Sequence, residues 1–279
     1  MKTILAPTNF SALSLNAVNY AADLARIIGA RLCLMHIFPM TMAFSEVPAP
    51  GNSMMQMEEE AGEEMQLLKE KIFNRTGGKV AIDTEIRTGY VVTEVENYCE
   101  QVQPYAVVVG AESAGSLERF FLGGRTTGTI REISCPVIVV PPDATFHSIE
   151  KIGLACDFRN VVETIPAGEI RELVHAFKAE LHIIHVSEST GALFNPDIIA
   201  ETGWLQEMLG ELKPKYHFLK FSGTADTEHQ ICDFAEHNSI DLLIVIPKKH
   251  NLIGRLFKHS CSKQLVLQAH IPVMAVHDN

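Results

Sequence analysis

Residues 2–11 read KTILAPTNFS, and residues 151–160 read KIGLACDFRN. Each stretch is an apolar strand that runs into a polar turn and then into a helix. In the first, Pro7 interrupts the strand pattern and Ser11 offers the hydroxyl expected of a helix cap. Ala17, Ala21, Leu24, Ala25 and Ile28 follow at spacings that keep them on one helical face, and ARLCLMHIF then reads as a second strand. In the second copy, Ile170, Leu173, Val174 and Phe177 mark the helix and AELHIIHV the strand. Leu32 and His36 match Leu181 and His185 at one separation, so the register holds through the whole first strand–helix–strand unit. Further on, YAVVVG matches DLLIVI, SLERFF matches LIGRLF, and SCPVIVV matches HIPVMAV, all at one constant offset. Matches that keep their order and share an offset argue for an internal duplication.

The strands LCLMHI, YAVVVG and PVIVV lack strict polar alternation, and the stretches between them are long enough for crossover helices. That pattern predicts parallel sheets buried on both faces. Each copy has room for five strands and about four helices. We expect two compact α/β domains, residues 1–143 and 144–279, joined around PPDATFHS, where Pro141, Pro142 and Asp143 break both regular patterns. TMAFSEVPAPGNSMM is by composition the least ordered interior segment. MEEEAGEEMQLLKEKIF after it predicts a helix with acids near its start and Lys69 and Lys71 near its end, the favourable sense for the helix dipole. Its charge reads as a solvated face. Met54, Met55 and Met57 read as gap-filling or as a flap rather than as metal ligands.

Composition removes several function classes. An apolar fraction of 47% over 279 residues supports a folded chain and argues against disorder. No apolar run is long enough for a membrane span, and MKTILAPTNF lacks the apolar region of a secretory signal, so a cytoplasmic location is expected. The net charge of −11 disfavours general affinity for nucleic acid or anionic membrane. Cys33, Cys99, Cys135, Cys156, Cys232 and Cys261 show no metal-knuckle or redox-motif spacing and read as reduced, packed thiols. There is no GxSxG elbow, HExxH helix or Walker A loop, and Ser113 and Ser116 have no histidine beside them in sequence. The chain therefore reads as a non-enzyme, with slow hydrolysis of a bound ATP as the remaining catalytic alternative. His182 and His185 are an odd number of residues apart on one strand and point to opposite faces, which argues against a shared metal. His36 and His185 hold equivalent places near strand ends, where packing or hydrogen bonding accounts for them, with a ligand contact as the alternative.

Pro7-Thr8-Asn9-Phe10-Ser11, GARLCLMHI, Gly89, the run from Gly110 to Gly124 and Cys135-Pro136-Val137 occur in an order and spacing that resembles the universal stress protein family, in a tandem UspA-like arrangement. The resemblance covers nearly the whole chain. It implies two open parallel five-stranded sheets with strand order 3-2-1-4-5, helices on both faces, and domains paired along their last strands. Here that pairing would be intramolecular, with a homodimer as a further step. It also implies a role in stress-response regulation through an unidentified protein partner and, in many members, ATP bound with magnesium at the carboxyl edge of the sheet.

The family's nucleotide motif resembles glycine, two residues, glycine, nine residues, glycine, and then serine or threonine. Here Gly110, Ser113, Gly123 and Gly124 take those places, followed by Arg125, Thr126 and Thr127. Ser113 can donate a hydroxyl hydrogen bond but adopts positive φ less cheaply than glycine. Gly124 keeps a backbone donor and loses the side-chain one, which Thr126 or Thr127 can supply. Asn9 stands where nucleotide-binding members place an aspartate. It keeps hydrogen-bonding capacity without charge, so it is a poorer magnesium anchor. Adenine is expected near Pro7, Thr8, Ile37 and Phe38, with Val109 beneath, while packing at a strand end accounts for the same residues without a ligand.

In the second copy Asp157 retains the acid, but Ile246, Lys249, His259 and Ser260 replace the motif, so ATP binding in the family manner is not expected there. Lys248, Lys249, His250, Arg255, Lys258 and His259 make that stretch basic, which reads as a solvated surface or as a site for an anionic metabolite or acidic protein. Two functional readings follow: a regulator that responds to an adenine nucleotide in domain 1, and a nucleotide-independent interaction scaffold.

Overall fold

The structure is a computed structural model that describes residues 2–39, 51–111, 135–187, 195–220, 227–246 and 269–276. The chain divides into two compact units, residues 1–146 and 147–279. The first contains β1 (Thr3–Thr8), α1 (Ala12–Ile28), β2 (Arg31–Pro39), α2 (Gly51–Arg75), β3 (Ile82–Gly89), α3 (Val91–Val102), β4 (Ala106–Gly110) and β5 (Val137–Val140). Its strands lie in the order β3-β2-β1-β4-β5, all paired in parallel. The second contains β6 (Lys151–Ala155), α4 (Val161–Thr164), α5 (Ala167–Phe177), β7 (Glu180–Ser187), α6 (Pro196–Leu209), β8 (Lys215–Lys220), α7 (Thr227–His237), β9 (Leu242–Val245) and β10 (Val273–Ala275). From its β8 edge the order is β8-β7-β6-β9-β10, again parallel. Each unit is thus an open 3-2-1-4-5 sheet flanked by helices: parallel as the strand pattern predicts, and in the order the family resemblance implies.

Consecutive residues of β5 and β9 are all buried, so both faces of these strands are covered and no polar alternation is needed. The edge strand β3 alternates instead. Around β1 the core is built by Ile4, Leu5, Leu32, Leu34, Val107 and Val108, none of them exposed. At roughly 1.5–3 kcal/mol for each large aliphatic side chain fully buried, such residues dominate the stability of the sheet.

Helix α1 forms as its sequence suggests. The Ser11 hydroxyl accepts from the Ser14 amide at 3.3 Å, and Gly29, at φ 67°, closes the far end by donating to the Ala25 carbonyl. Ala17, Ala21, Leu24 and Ala25 are buried, and small side chains on this face let the helix lie close to the sheet. Asp23 on α1 accepts two hydrogen bonds from the Arg75 guanidinium at the end of α2, at 3.1 and 2.6 Å. The two helices are thereby tied across a gap in sequence that no local pattern spans.

Helix α2 departs from expectation. It begins at Gly51, well before the expected start at Met57. Its first turn then carries no acid, and only Arg75 is basic in its last turn. The acidic run Glu58-Glu59-Glu60 belongs to the helix body, so the dipole argument for its placement does not apply. Met and Gln are good helix formers, and the helix extends back through them to the residue after Pro50. The remainder of the segment expected to be least ordered lies outside the described residues.

The end of the first unit is held by α1. The Asn16 amide nitrogen donates to the carbonyls of Pro141, Pro142 and Ala144 at 3.0–3.2 Å. Phe146 packs edge-on against Tyr20, with ring centroids 5.0 Å apart.

Candidate functional site

The carboxyl ends of β1, β2 and β4 bring six of the sequence-predicted residues to one edge of the first sheet. Thr8 lies opposite His36. Leu5 lies opposite Val107, and continuing that register sets Val109 and Gly110 level with Pro7 and Thr8. Ile37 follows His36 on β2. Thr8, Ile37 and Val109 are buried, while Asn9 is exposed and Pro7 and Gly110 are half-buried. Ser113, Gly123, Gly124, Arg125, Thr126 and Thr127 lie outside the described residues. So do Lys248, Lys249, His250, Arg255, Lys258, His259 and Ser260 of the second unit.

The turn leaving β1 is closed by side chains. The Asn9 Oδ1 accepts from the Ser11 amide at 3.1 Å, and the Thr8 Oγ1 accepts from the Phe10 amide at 3.0 Å. Phe10 adopts φ 61°, a left-handed conformation unusual for an aromatic residue. The second unit repeats this arrangement one residue out of step with the His36 and His185 match, so the register expected to hold through the whole first unit slips by one residue between the turn and the next strand. Asp157 Oδ1 accepts from the Arg159 amide at 3.2 Å, Cys156 Sγ accepts from the Phe158 amide at 3.4 Å, and Phe158 has φ 52°. The turn needs an oxygen acceptor at this position and no charge, which is why asparagine serves in one copy and aspartate in the other.

A histidine clamps each turn. His36 Nδ1 lies 2.8 Å from the Thr8 carbonyl, and His185 Nδ1 lies 2.9 Å from the Cys156 carbonyl. A carbonyl only accepts, so Nδ1 carries the hydrogen in both rings. The rings of Phe10 and Phe38 each stand 4.8 Å from His36, and Phe158 stands 5.1 Å from His185. The repeated histidine was visible in the sequence. Its aromatic partner was equally available, since Phe10 and Phe158 end the two matching turns.

Thr8 and Gly110 are tied to α1. Thr8 Oγ1 lies 3.1 Å from Ser14 Oγ, and the Ser14 hydroxyl donates to the Ser11 carbonyl at 3.0 Å. A Cβ placed on Gly110 would meet the Leu13 carbonyl oxygen at 2.7 Å. The first turn of α1 therefore demands glycine at 110 for packing alone. Leu13 and Ser14 were not among the predicted site residues, and nothing in a single sequence pairs Leu13 with Gly110.

The titratable groups with shifted values lie elsewhere. Burial pushes the Cys33 thiol up to about 11. His182 and His217 are both held below the ordinary histidine value, chiefly by burial. A surface depression of about 630 Å³, lined by Phe73, Gly78 and Ile82 among others, sits at the amino end of β3, the opposite edge of the sheet. Ligands of open α/β sheets bind at the carboxyl ends of the strands, so chemistry favours the edge at Thr8 over this depression.

The family model described as "Universal stress protein family" matches residues 1–141 and 150–277. The chain belongs to the universal stress protein family. A universal stress protein of Methanocaldococcus jannaschii is 28% identical over 141 residues, covering 50% of this chain and 81% of the relative. Among solved structures, a universal stress protein from Archaeoglobus fulgidus aligns with a TM-score of 0.70 at 18% identity, covering 99% of this chain and 96% of that one. A putative universal stress protein from Pseudomonas aeruginosa aligns at 0.58 and 12% identity, covering 100% and 94%. At these identities the likeness establishes the fold. Among the described residues no helix is long and apolar enough to cross a membrane.

The described edge of this universal stress protein is apolar at its strand ends and polar at its rim. Pro7, Ile37 and Val109 supply apolar strand ends, and exposed Asn9 supplies a polar side chain at the rim. The edge does not fit magnesium anchored by the protein. Asn9 carries no charge, its oxygen already accepts the Ser11 amide, and no group of three or more His, Cys, Asp or Glu among the described residues is placed to hold a metal ion.

Proposed function

We propose that this universal stress protein is a stress-response regulator that takes an adenine nucleotide, ATP in the first instance, in its first unit. The observation that carries the reading is the convergence of Pro7, Thr8, Asn9, Ile37, Val109 and Gly110 on one carboxyl edge. From that edge the chain runs directly into the glycine- and hydroxyl-rich stretch ending in Gly123, Gly124, Arg125 and Thr126. Apolar strand ends would flank the base, and the backbone donors and hydroxyls of the glycine-rich stretch would serve the phosphates. Magnesium, where present, would travel with the phosphates. The reading assigns no general base to the protein.

A second reading, a nucleotide-independent interaction scaffold, draws on Gly110. Because the approach of Leu13 explains that glycine without a ligand, the first place of the motif can persist for packing alone.

One pair of measurements separates the two. Freshly purified full-length protein is assayed for bound nucleotide and then titrated calorimetrically with ATP, with and without magnesium. Bound adenine nucleotide near one equivalent, or saturable binding that Gly123→Leu weakens at least tenfold while His259→Leu does not, supports the regulator. Absence of both, with the chain folded by circular dichroism, leaves the scaffold.

A further inference from the structure

Cys99 and Cys135 stand apart from the other cysteines. Their sulfurs are 2.7 Å apart, although both are free thiols in the structure. They lie in different elements, Cys99 near the end of α3 and Cys135 just ahead of β5, with Cys99 1% and Cys135 5% exposed. Both backbones are anchored: the Gln103 amide donates to the Cys99 carbonyl, and the Val107 amide donates to the carbonyl of Pro136, next to Cys135. The other thiols within the described residues are placed differently. Cys33 bonds to the Tyr98 hydroxyl, Cys156 Sγ accepts the Phe158 amide, and Cys232 is buried in α7.

We propose that Cys99 and Cys135 are a two-electron redox site, a dithiol that a hydroperoxide converts to an intramolecular disulfide between α3 and the start of β5. The sulfurs need to close from 2.7 Å to a bond of about 2.05 Å, a change within the reach of small side-chain rotations. The Cys135 contact, burial and the Glu96 carboxylate push the Cys99 thiol well above its ordinary value, so Cys99 keeps its proton. Cys135, the more exposed of the two, is the sulfur that a peroxide reaches first. Its sulfur takes the terminal peroxide oxygen as the O–O bond breaks, its thiol proton leaves with the departing alcohol or water, and a sulfenic acid remains on Cys135. The Cys99 sulfur then attacks the sulfenic sulfur. The S–S bond forms, the S–O bond breaks, and the Cys99 proton leaves with the oxygen as water. The two thiols lose two electrons in all and the peroxide gains them. A dithiol reductant restores the pair. Burial makes the oxidation slow, and the sulfur contact dictates the pairing.

The full-length chain is exposed to hydrogen peroxide, quenched with an alkylating agent under denaturing conditions, and digested for mass spectrometry. The expected product joins the Cys99 peptide to the Cys135 peptide, disappears in Cys99→Ser and in Cys135→Ser, persists in Cys33→Ser, and reverts with dithiothreitol. Oxidation should also raise the Tm of the wild-type chain by several degrees and leave both serine variants unmoved. To remove access as an obstacle, the reduced, denatured chain is also refolded in an oxidising glutathione buffer. Full alkylation of both cysteines after that refolding, or a disulfide that links either one to another cysteine, overturns the proposal. The test reads no nucleotide, so its result is independent of ATP binding.

Discussion

At Gly110 a single methyl group decides whether β4 and α1 can meet. The added Cβ would lie 2.7 Å from a backbone oxygen, that of Leu13, and backbone cannot swing aside as a flexible side-chain tip can. Gly110→Ala should therefore cost about 1–3 kcal/mol of stability, read as a lowered urea midpoint in protein freed of nucleotide. An unchanged midpoint would mean that the close approach is not real. The glycine itself was legible in the sequence, but its reason was not, because a glycine serving a phosphate and one serving a helix look alike until Leu13 is in place. Asn9 teaches the converse. Its sequence reading weighs the loss of charge, whereas the turn asks only for an oxygen, as the matching Asp157 turn shows.

Between the elements β7 and β8, two histidines share one hydrogen bond. His182 Nδ1 lies 3.1 Å from His217 Nε2, and the rings stack with centroids 5.1 Å apart and a 12° tilt. Glu180 Oε2 stands 3.4 Å from His182 Nε2 and 2.7 Å from the Lys215 ammonium. On the α7 side the Phe234 ring covers His217 at 4.7 Å. With Nε2 of His182 donating to the carboxylate, its Nδ1 accepts and His217 donates, so the two rings cannot both be charged without breaking the bond. Burial lowers both values from 6.5; at His182 the Glu180 carboxylate opposes this while the positive charges of Lys215 and Lys151 add to it, as those of His182 and Lys215 do at His217. The unfolded chain then binds more protons than the folded one below about pH 6.5. Stability is accordingly full above that pH, falls as the pH drops through the window between unfolded and folded values, and levels off beneath it. Urea midpoints followed from neutral pH downward should trace this fall, and His217→Phe should flatten it; an equally steep fall in the variant would assign the effect elsewhere. His182 and His185 both lie in β7, but the partner of His182 was not visible in the sequence, because His217 arrives on a neighbouring strand whose register local sequence does not encode.

For the molecule as a whole, duplication means that equivalent residues carry equivalent loads. Ile4 on β1 and Ile152 on β6 are both fully buried, each on the strand at the centre of its own sheet. Ile4→Ala and Ile152→Ala should each cost about 2–5 kcal/mol, with hydrogen exchange locating the loss in β1 for the first and β6 for the second. Exchange that speeds up elsewhere but not in the altered strand would contradict this assignment. The 3-2-1-4-5 strand order followed from the family resemblance, whereas what the sequence determined by itself was the repeated strand–turn–helix order, the parallel sheets, the Ser11 cap and the buried face of α1. Each of these rests on periodicity, turn chemistry and chain order that a few neighbouring residues express. Only the tertiary structure decided that Leu13 requires Gly110, that His36 donates to Thr8, that Asp23 receives Arg75 and that Cys99 faces Cys135. Those pairs lie far apart in sequence, and they meet only after sheet register and helix packing have set the positions of whole elements against one another.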